Sequence, residues 1–513
     1  MLPLAGRREG SATLGLAVPS LRVRTLGTAL LYLGLFCISL LQFTDPDFWW
    51  HLRTGQLIVE TRSIPHADPF SFTAEGSRWV THEWLSEVII YGVDGVVGYV
   101  GNAVLFSGLA LLALLVMHRL VLRLGLAELP ALVLVALAGT IALPYWTVRP
   151  QAFTWLLTAV FLYTLYRQYR EGQGPLWHLP LLMILWANLH GGYVIGLVLL
   201  GLWLASLVAE RAIWHEHRDL RGPALVSGAC LVATLANPNG LALLSYPLTY
   251  LAAGNASLNL ITEWQSPNFH EALHLPLAAG IVLLALVGVV GGRRNLFRVG
   301  LALLFTFFAL QSSRHQPLFA LVLVLVVGDV LRERWWWARR GERAEGSGGP
   351  AALNWAILAT ALVVAAAALP QLPEAQVHRE PITSGTPAYP VEGAAFVRQH
   401  YPEARMFNEY TWGGYLIHQL YPEQRVFIDG RPDMYGDEFV RDYIRVTSLE
   451  PEWRDILARH EVDLVIVERG SALATVLRDR WDWELAFTGP VEAVFVRSGS
   501  ARVEAQGRPT NRR

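Results

Sequence analysis

Residues 44–58 of the chain, TDPDFWWHLRTGQLI, follow directly on its first long apolar run, residues 25–43. Two aspartates, Asp45 and Asp47, stand where a hydrophobic helix would leave a membrane, and a phenylalanine and two tryptophans come next. Tryptophan is enriched at the boundary between membrane and water, because its ring is apolar and its N–H is polar. The stretch therefore predicts a pair of carboxylates held at a membrane surface by an aromatic cluster.

The composition of the whole chain is typical of a membrane protein. Of its 513 residues, 53% are hydrophobic and only 16% are charged, whereas roughly a quarter of the residues of an ordinary soluble domain are charged. The formal net charge of −1 gives no reason to expect a nucleic-acid partner. Both cysteines, Cys37 and Cys230, lie inside apolar runs, which argues against a structural disulfide or a cysteine metal site.

Apolar runs of about 17–25 residues are typical of helices that cross a membrane. The sequence holds about eleven of them, so it predicts a multi-pass α-helical membrane protein whose transmembrane domain covers residues 25–369. The predicted helices are 25–43, 101–122, 128–146, 151–167, 176–190, 193–210, 223–244, 274–291, 296–311, 316–331 and 352–369.

Arginines are distributed unevenly between the loops that join these runs. The N-terminal tail, residues 1–24, is rich in arginine, and so is every second loop after it, whereas residues 237–273 contain none. Positively charged loops stay in the cytoplasm during membrane insertion, so the pattern predicts a cytoplasmic N-terminus. With an odd number of crossings, residues 370–513 then lie outside the cytoplasm.

Polar residues that are uncommon in membrane helices gather at the opposite, outer ends. A charge in the middle of a bilayer costs roughly 2.5–3.5 kcal/mol on insertion scales, so such residues belong at the interface or in a wet cavity. One interpretation is that each of them simply caps its own helix. Because the set spans six outer segments and includes two arginines, we favour a shared polar cavity, formed by Asp45, Asp47, His82, Glu83, Arg149, His190, Asn237, Glu263, Arg314 and His315.

The first outer loop, residues 44–100, has helical patterns of its own. Apolar side chains fall on one face of residues 48–62, which predicts a short helix that lies in the membrane surface and is anchored by tryptophan. A second helix is predicted to begin near Thr81, a good N-cap residue. Glu83 and Glu87 then share one face of it, either as a solvated surface or as a second source of carboxylates.

The composition changes after the last apolar run. Residues 370–390 form a proline-rich connector, and helical and strand patterns alternate over residues 391–513, which predicts a small α/β domain with a largely parallel sheet. The segment FIDGRPD ends one apolar strand pattern of this domain. It predicts either a site for a sugar or carrier or a tight turn closed by a salt bridge, with the charged residues Asp429, Arg431 and Asp433.

Three stretches of the chain carry a family resemblance: DPDFWWHLRTGQLIVETRSIPHADPFSFT (45–73), WVTHEWLSEVIIYG (79–92) and FNEYTWGGYLIHQLYPEQRVFIDGRPDMYG (407–436). They look like recurring segments of bacterial membrane proteins grouped with the integral-membrane glycosyltransferases of the GT-C fold. Members of that group have acidic residues directly after helix one and two membrane-parallel helices in the first outer loop. The resemblance implies this fold in the bacterial plasma membrane, an active site on the outer face and a polyprenyl-phosphate sugar as donor.

The chemistry of such a transfer assigns roles to the cavity residues. A carboxylate must take the proton of the acceptor hydroxyl, and the candidates are Asp47 or Asp45 first and Glu83 second. The leaving phosphate needs fixed donors. Arg149 and Arg314 have planar, forked side chains that suit a phosphate, and the neighbouring His315 could add a further donor.

Several alternatives remain open from the sequence. The aspartate pair could instead hold Mg²⁺ or Mn²⁺ through oxygen ligands, although two outer arginines favour a metal-free site. Arg149 and Arg314 could also pair with Glu263 and Asp45 for stability alone. The acceptor, which could be a glycan, a lipid or a protein, is not determined by any motif.

Two other classes of protein share some of these features. A lipid-linked glycan transporter or flippase also has many helices and polar cavities, but broken helices, charges at mid-membrane and internal repeats are typical of it. A non-catalytic membrane assembly protein does not need converging acidic, basic and histidine residues. The sequence shows no clear repeat and gathers its polar residues at one face, which favours the transferase.

Overall fold

The computed structural model describes residues 21–40, 45–172, 174–215, 219–249, 261–290, 295–339, 351–368 and 389–500. A helix is present within each of the predicted apolar runs. Five of the described helices are long and apolar enough to cross a membrane, in agreement with a multi-pass membrane protein: Val23–Leu40, Tyr99–Arg123, Glu128–Tyr145, Tyr193–Trp214 and Ser313–Arg334.

The helices of the membrane part are numbered here along the chain. They are α1 (Val23–Leu40), the outer-loop helices α2 (Phe48–Thr61) and α3 (Trp84–Val97), then α4 (Tyr99–Arg123), α5 (Glu128–Ala142), α6 (Gln151–Glu171), α7 (His178–Leu189), α8 (Tyr193–Trp214), α9 (Arg221–Ala233), α10 (Leu241–Thr249), α11 (Leu275–Val290), α12 (Leu296–Gln311), α13 (Gln316–Arg334) and α14 (Ala351–Ala368).

Some predicted spans differ from the observed helices. The run 223–244 is divided into α9 and α10, because Asn237, Pro238, Asn239 and Gly240 form a turn. Helix α7 has only 12 residues, or about 18 Å at 1.5 Å per residue, whereas the hydrocarbon core of a bilayer is about 30 Å thick. The structure therefore supports many apolar helices but does not establish eleven full crossings.

Buried ion pairs lie at both ends of the helical bundle. At one end, Arg298 Nη1 donates to Asp329 Oδ2 at 2.7 Å, and Arg170 Nη2 lies 3.0 Å from Glu333 Oε1. These arginines belong to the side that the sequence assigns to the cytoplasm. The segments that hold most of the predicted cavity residues meet at the other end, around Arg149.

The C-terminal domain is a four-stranded sheet with helices packed around it, in the strand order β1-β2-β4-β3. Its strands are β1 (Met406–Asn408), β2 (Leu464–Glu468), β3 (Trp483–Thr488) and β4 (Glu492–Arg497). Its helices are α15 (Val391–His400), α16 (Gly413–Leu420), α17 (Pro432–Tyr435), α18 (Asp437–Thr447), α19 (Trp453–Arg459) and α20 (Ala472–Arg478).

The prediction of a largely parallel sheet was wrong. Only β1 and β2 run parallel, while β4 is antiparallel to both β2 and β3. The chain between Thr488 and Glu492 is too short for a parallel crossover, which needs about a dozen residues. A short connection of this kind forms a hairpin instead, and an apolar strand pattern by itself does not reveal the direction of its neighbours.

The apolar residues 426–428, where FIDGRPD begins, are also not a strand of this sheet. The side chain of Asn408, at the end of β1, takes the place of a paired strand: the Phe427 N–H donates to Asn408 Oδ1 at 2.8 Å, and Asn408 Nδ2 donates to the Ile428 carbonyl at 2.8 Å. On its other side, Val426 pairs with Ser71 of the first outer loop. The segment thus connects the C-terminal domain to that loop.

Helix α2 lies between α3 and α16, so protein covers its tryptophans. The Trp49 ring meets the rings of Tyr389 and Tyr415 edge-on at centroid distances of 5.7 and 5.3 Å. Trp50 is 6% exposed and contacts Trp79 at 6.3 Å. The prediction that these tryptophans anchor the helix in lipid was wrong, because aromatic residues of the C-terminal domain and of the loop itself surround them.

Helix α3 begins later than the sequence predicts. Its first residue is Trp84 and its N-cap residue is Glu83, whereas Thr81 was expected at this position. The Thr81 hydroxyl instead donates to the Pro65 carbonyl in the preceding loop. The Glu83 side chain makes no capping hydrogen bond and contacts histidine side chains instead.

Candidate functional site

The two aspartates of the opening stretch lie in the turn between α1 and α2. The Asp47 N–H donates to Asp45 Oδ1 at 3.0 Å, an Asx turn that fixes the two residues relative to each other. The Thr147 hydroxyl donates to Asp45 Oδ2 at 2.9 Å, and the Trp50 Nε1–H donates to Asp47 Oδ1 at 3.0 Å. Both carboxylates are therefore held in defined orientations by neutral donors.

Arg149 connects this turn to Glu263, which is distant in the sequence. It precedes Pro150, the N-cap residue of α6, and its guanidinium contacts three carboxylates. Its Nη2 donates to Asp47 Oδ2, its Nη1 donates to Glu263 Oε1 at 2.9 Å, and its Nε lies 3.5 Å from Asp45 Oδ1. All three nitrogens of the planar fork thus face acidic groups.

Glu263 and Arg314 extend this arrangement from the other side. Each lies in a short 3-10 turn, Thr262–Trp264 and Ser313–His315 respectively. Arg314 Nη1 donates to Glu263 Oε1 at 3.1 Å, and its guanidinium lies 5.2 Å from the centroid of the Trp264 ring, a cation–π contact. The pairing of the arginines with Glu263 and Asp45, which the sequence left open, is present in the structure.

Asp45, Asp47, Arg149, Glu263 and Arg314, here called the charge cluster, comprise three carboxyl groups and two guanidinium groups. One negative charge therefore has no positive counterpart within the cluster. Burial raises the pKa of Asp45, and it raises the pKa of Asp47 to about 7, although Arg149 opposes both shifts. Burial acts on Glu263 in the same direction, but Arg149 and Arg314 outweigh it and lower the Glu263 pKa. The aspartate pair thus holds a proton near neutral pH.

Three imidazoles converge on Glu83. His190 Nε2 lies 3.2 Å and His82 Nε2 lies 3.5 Å from Glu83 Oε1, while His51 Nε2 lies 3.6 Å from Oε2. Burial alone would raise the pKa of Glu83, but the histidines, above all His82, lower it below the usual value. Glu83 is therefore an ionised carboxylate, and we call these four residues the histidine cluster.

His190 is held in one tautomer. The Gly192 N–H donates to His190 Nδ1 at 2.8 Å, and the Thr154 hydroxyl lies 2.8 Å from the same nitrogen. Nδ1 is therefore the acceptor, and Nε2 carries the proton that faces Glu83. A β-carbon at Gly192 would collide with Thr154, so glycine permits this approach.

The sequence analysis missed His51, which lies within α2 and is 2% exposed. Its Nδ1 lies 3.3 Å from Glu87 Oε1. Burial lowers the pKa of His51 to about 3 and raises the pKa of Glu87 well above its usual range, so a neutral Glu87 donates to Nδ1 and the His51 Nε2–H faces Glu83. Two features of the sequence could have pointed to His51. It follows Asp47 by one helical turn, and the glycine one turn further on, Gly55, allows α2 to approach the Glu87 backbone.

Two other predicted residues do not join either cluster. Asn237 Nδ2 donates to the Thr234 carbonyl at 2.6 Å, and its Oδ1 accepts from the Asn239 N–H at 2.7 Å, so Asn237 shapes the turn between α9 and α10. His315 packs on Phe308 with ring centroids 5.4 Å apart, so its ring lies against an aromatic side chain rather than in the charge cluster.

The FIDGRPD segment contains a buried salt bridge. Arg431 donates from Nε to Asp429 Oδ1 at 2.7 Å and from Nη2 to Asp429 Oδ2 at 2.6 Å. The same Nη2 donates to Asp68 Oδ1 of the first outer loop at 2.9 Å. The side chain of Asp433 lies outside the described part. This geometry agrees with the salt-bridge interpretation of the segment rather than with a sugar site.

The aspartate pair does not fit Mg²⁺ or Mn²⁺ in this arrangement. Each carboxylate oxygen of Asp45 and Asp47 already accepts from an N–H or O–H donor, and the positive Arg149 guanidinium lies against both carboxylates, where a divalent cation would have to bind. Among the described residues, no group of three or more histidine, cysteine, aspartate or glutamate side chains has the geometry of a metal site. The Arg149 guanidinium occupies the place that a cation would need.

No protein-family model and no curated protein sequence matches the chain, but solved structures do. The archaeal oligosaccharyltransferase AglB from Archaeoglobus fulgidus, in complex with an inhibitory peptide and a dolichol-phosphate, superposes with a TM-score of 0.55 and 11% identity, covering 86% of this chain and 69% of AglB. The arabinofuranosyltransferase AftD from Mycobacteria superposes with a TM-score of 0.51 and 13% identity, covering 94% of this chain.

These likenesses bear on the fold. The structural neighbours are glycosyltransferases of the GT-C fold, which confirms the resemblance seen in the sequence. This chain spans only 40% of the length of AftD. At these low identities the match shows a shared architecture, and the chemistry must be argued from the residues of this chain.

Proposed function

We propose that the chain is a membrane glycosyltransferase that moves a sugar from a polyprenyl-phosphate donor to an acceptor at the outer face of the bacterial plasma membrane. The observation that carries this proposal is the charge cluster. In it Arg149 and Arg314, cations with the right shape for a phosphate, lie beside carboxylates that can serve as a base. The dolichol-phosphate bound to AglB supports a lipid phosphate as part of the donor.

Donor binding begins with an exchange of partners. Before it, Arg149 is shared by Asp47, Asp45 and Glu263. A phosphate carries several acceptor oxygens, and bidentate pairs between guanidinium and phosphate are among the strong charged contacts in proteins. The donor phosphate takes the forks of Arg149 and Arg314, and the Asp47 carboxylate loses its guanidinium partner. That loss raises its affinity for a proton.

The chemical step then uses Asp47 as the base. The acceptor hydroxyl gives its proton to Asp47 as its oxygen bonds to the anomeric carbon of the sugar. The bond from that carbon to the phosphate oxygen breaks, and its electron pair leaves with the polyprenyl phosphate, whose growing charge Arg149 and Arg314 stabilise. A base is most effective when its pKa lies near the working pH, and burial raises the pKa of Asp47 to about 7.

The other two carboxylates have weaker grounds for this role. Asp45 accepts from the Thr147 hydroxyl and the Asp47 N–H, and the donor phosphate displaces neither of them, whereas Asp47 Oδ2 becomes free when Arg149 turns to the phosphate. Glu83 has a lowered pKa because of its histidines, so it holds a proton less well. Its favoured role is to hold the rings of His51, His82 and His190 in fixed orientations.

Turnover of lipid-linked sugars by the purified chain tests the function. We expect release of polyprenyl phosphate from at least one member of a panel of polyprenyl-phosphate sugars, and the same rate with a chelator, because Arg149 fills the position of a cation. If the donor binds but is neither cleaved nor transferred, the transferase proposal fails. Movement of the same lipid across vesicle membranes would then support a transporter.

The proposed orientation has its own test. We propose that residues 1–24 lie in the cytoplasm and residues 370–513 outside it, since the arginine-rich end of the bundle faces inward. A reporter that works only in the cytoplasm should be silent after Arg513 and active after Glu171, which follows the arginine-rich end of α6. Strong activity after Arg513 would overturn the orientation and, with it, the outer-face site.

A further inference from the structure

The C-terminal domain and the first outer loop share one hydrophobic core. Trp50, Phe70 and Trp79 of the loop pack with Trp412 and Leu416 of the C-terminal domain in a single buried cluster. Backbone bonds reinforce the contact, since the Val426 N–H donates to the Phe70 carbonyl at 3.1 Å and the Phe72 N–H donates to the Val426 carbonyl at 3.2 Å. The domain is therefore fixed to the loop that carries the aspartates.

Arg431 closes this contact. Besides its bonds to Asp429 and Asp68, its guanidinium lies 4.4 Å from the centroid of the Trp79 ring and 5.1 Å from that of Phe70. The side chain is 3% exposed, and cation–π contacts are strongest when water is excluded. Arg431 of the C-terminal domain is thus enclosed by residues of the first outer loop and holds the two parts together.

Gly430, which precedes Arg431, lies directly against the turn that holds Asp45 and Asp47. A β-carbon on Gly430 would overlap the Asp47 carboxylate and approach Trp50 Nε1 to 3.0 Å. A β-carbon on Gly414 would lie 2.5 Å from the Pro46 carbonyl oxygen. Neither glycine has a positive φ angle, so close approach rather than backbone conformation requires glycine here.

A tyrosine of the same domain lies in the same electrostatic environment. Burial raises the pKa of the Tyr410 phenol well above its usual range, with Asp47 and Asp429 adding to the shift and Arg149 opposing it. Tyr410 follows β1 in the segment FNEYTWGGY. The C-terminal domain therefore lies against the Asp47 side of the charge cluster.

We propose that the C-terminal domain contributes to the site. Gly430 and Gly414 are positioning residues that let the domain pack against the turn holding Asp47, and Arg431 holds the domain against the first outer loop. This inference rests on the proposed function for its kinetic consequence, but the contact itself is independent of the substrate. It explains why two glycines and a buried arginine occur where the domain meets the loop.

The variant Gly430→Ala tests the inference, with Gly470→Ala as the matched control. Gly470 lies in the same domain, and an added β-carbon there would meet open space. We expect Gly430→Ala to displace Asp47 and lower kcat by roughly 10²-fold, the cost of about 1 Å of misplacement, with little change in the KM for the donor. Amide hydrogen exchange over residues 45–58 should rise in Gly430→Ala and not in Gly470→Ala.

The exchange measurement separates this inference from the proposed function. If wild-type protein transfers no sugar but Gly430→Ala raises exchange over residues 45–58, the function fails while the positioning contact stands. If Gly430→Ala matches Gly470→Ala in exchange, the inference is overturned. Should Gly430→Ala not fold, Arg431→Lys replaces it, because lysine cannot bridge Asp68 and Asp429 as the fork does, and the same rise in exchange is expected.

Discussion

We expect the substitution Asp47→Asn to lower the rate of sugar transfer by about 10²–10⁴-fold, the usual cost of losing a general base. Asparagine keeps the size of the side chain and can still accept from the Trp50 Nε1–H. The donor should still bind, because Arg149 and Arg314 are unchanged. Single-turnover transfer and binding of a polyprenyl phosphate without a sugar, measured on the same preparation, separate the two effects.

The pH dependence of the same reaction tests whether Asp47 is the general base. Only the ionised carboxylate accepts a proton, so the wild-type kcat/KM, which reports the groups of the donor-free protein, should fall about tenfold for each pH unit below the Asp47 pKa, which burial raises to about 7. The residual rate of the Asp47→Asn variant should not fall in this way as the pH is lowered. Asp94→Asn, in the same outer loop, is the control and should behave like wild type. Near-full transfer by Asp47→Asn would remove Asp47 as the base and make Glu83→Gln the next test.

The second large effect is expected at Arg149. The substitution Arg149→Met removes the cation that contacts Asp45, Asp47 and Glu263, and the side chain is only 15% exposed. Leaving buried charges without a partner typically costs about 3–5 kcal/mol, a large share of the roughly 5–15 kcal/mol that stabilises a protein. Thermal unfolding in detergent, followed by tryptophan fluorescence, should show a strongly lowered midpoint.

Arg149→Lys distinguishes charge from shape. Lysine keeps the positive charge but loses the planar fork, so the fold should survive while donor phosphate loses a charged hydrogen bond. Such a bond is worth about 1.5–3 kcal/mol, or roughly ten- to a hundredfold in affinity. Arg123→Lys, in an exposed pair with Glu171, is the control and should change neither property. Equal donor binding by Arg149→Lys and wild type would contradict the phosphate role.

Local patterns in the sequence determined where the helices of the membrane part lie. The apolar runs give the positions of the helices, because a membrane helix needs a long stretch without charges. The arginines mark one end of the bundle, and the outer polar residues mark the other. The acidic turn of Asp45 and Asp47 was visible because its composition changes abruptly at the end of α1.

Only the tertiary structure decided which groups meet. Arg149 and Glu263 are 114 residues apart, and nothing in their local sequence selects one as the partner of the other. The role of His51, the covering of Trp49 and Trp50 by the C-terminal domain, and the contact of Gly430 with Asp47 depend in the same way on how distant segments pack. Periodicity and composition report the burial of each segment along the chain, whereas the pairing of charges depends on distances in space.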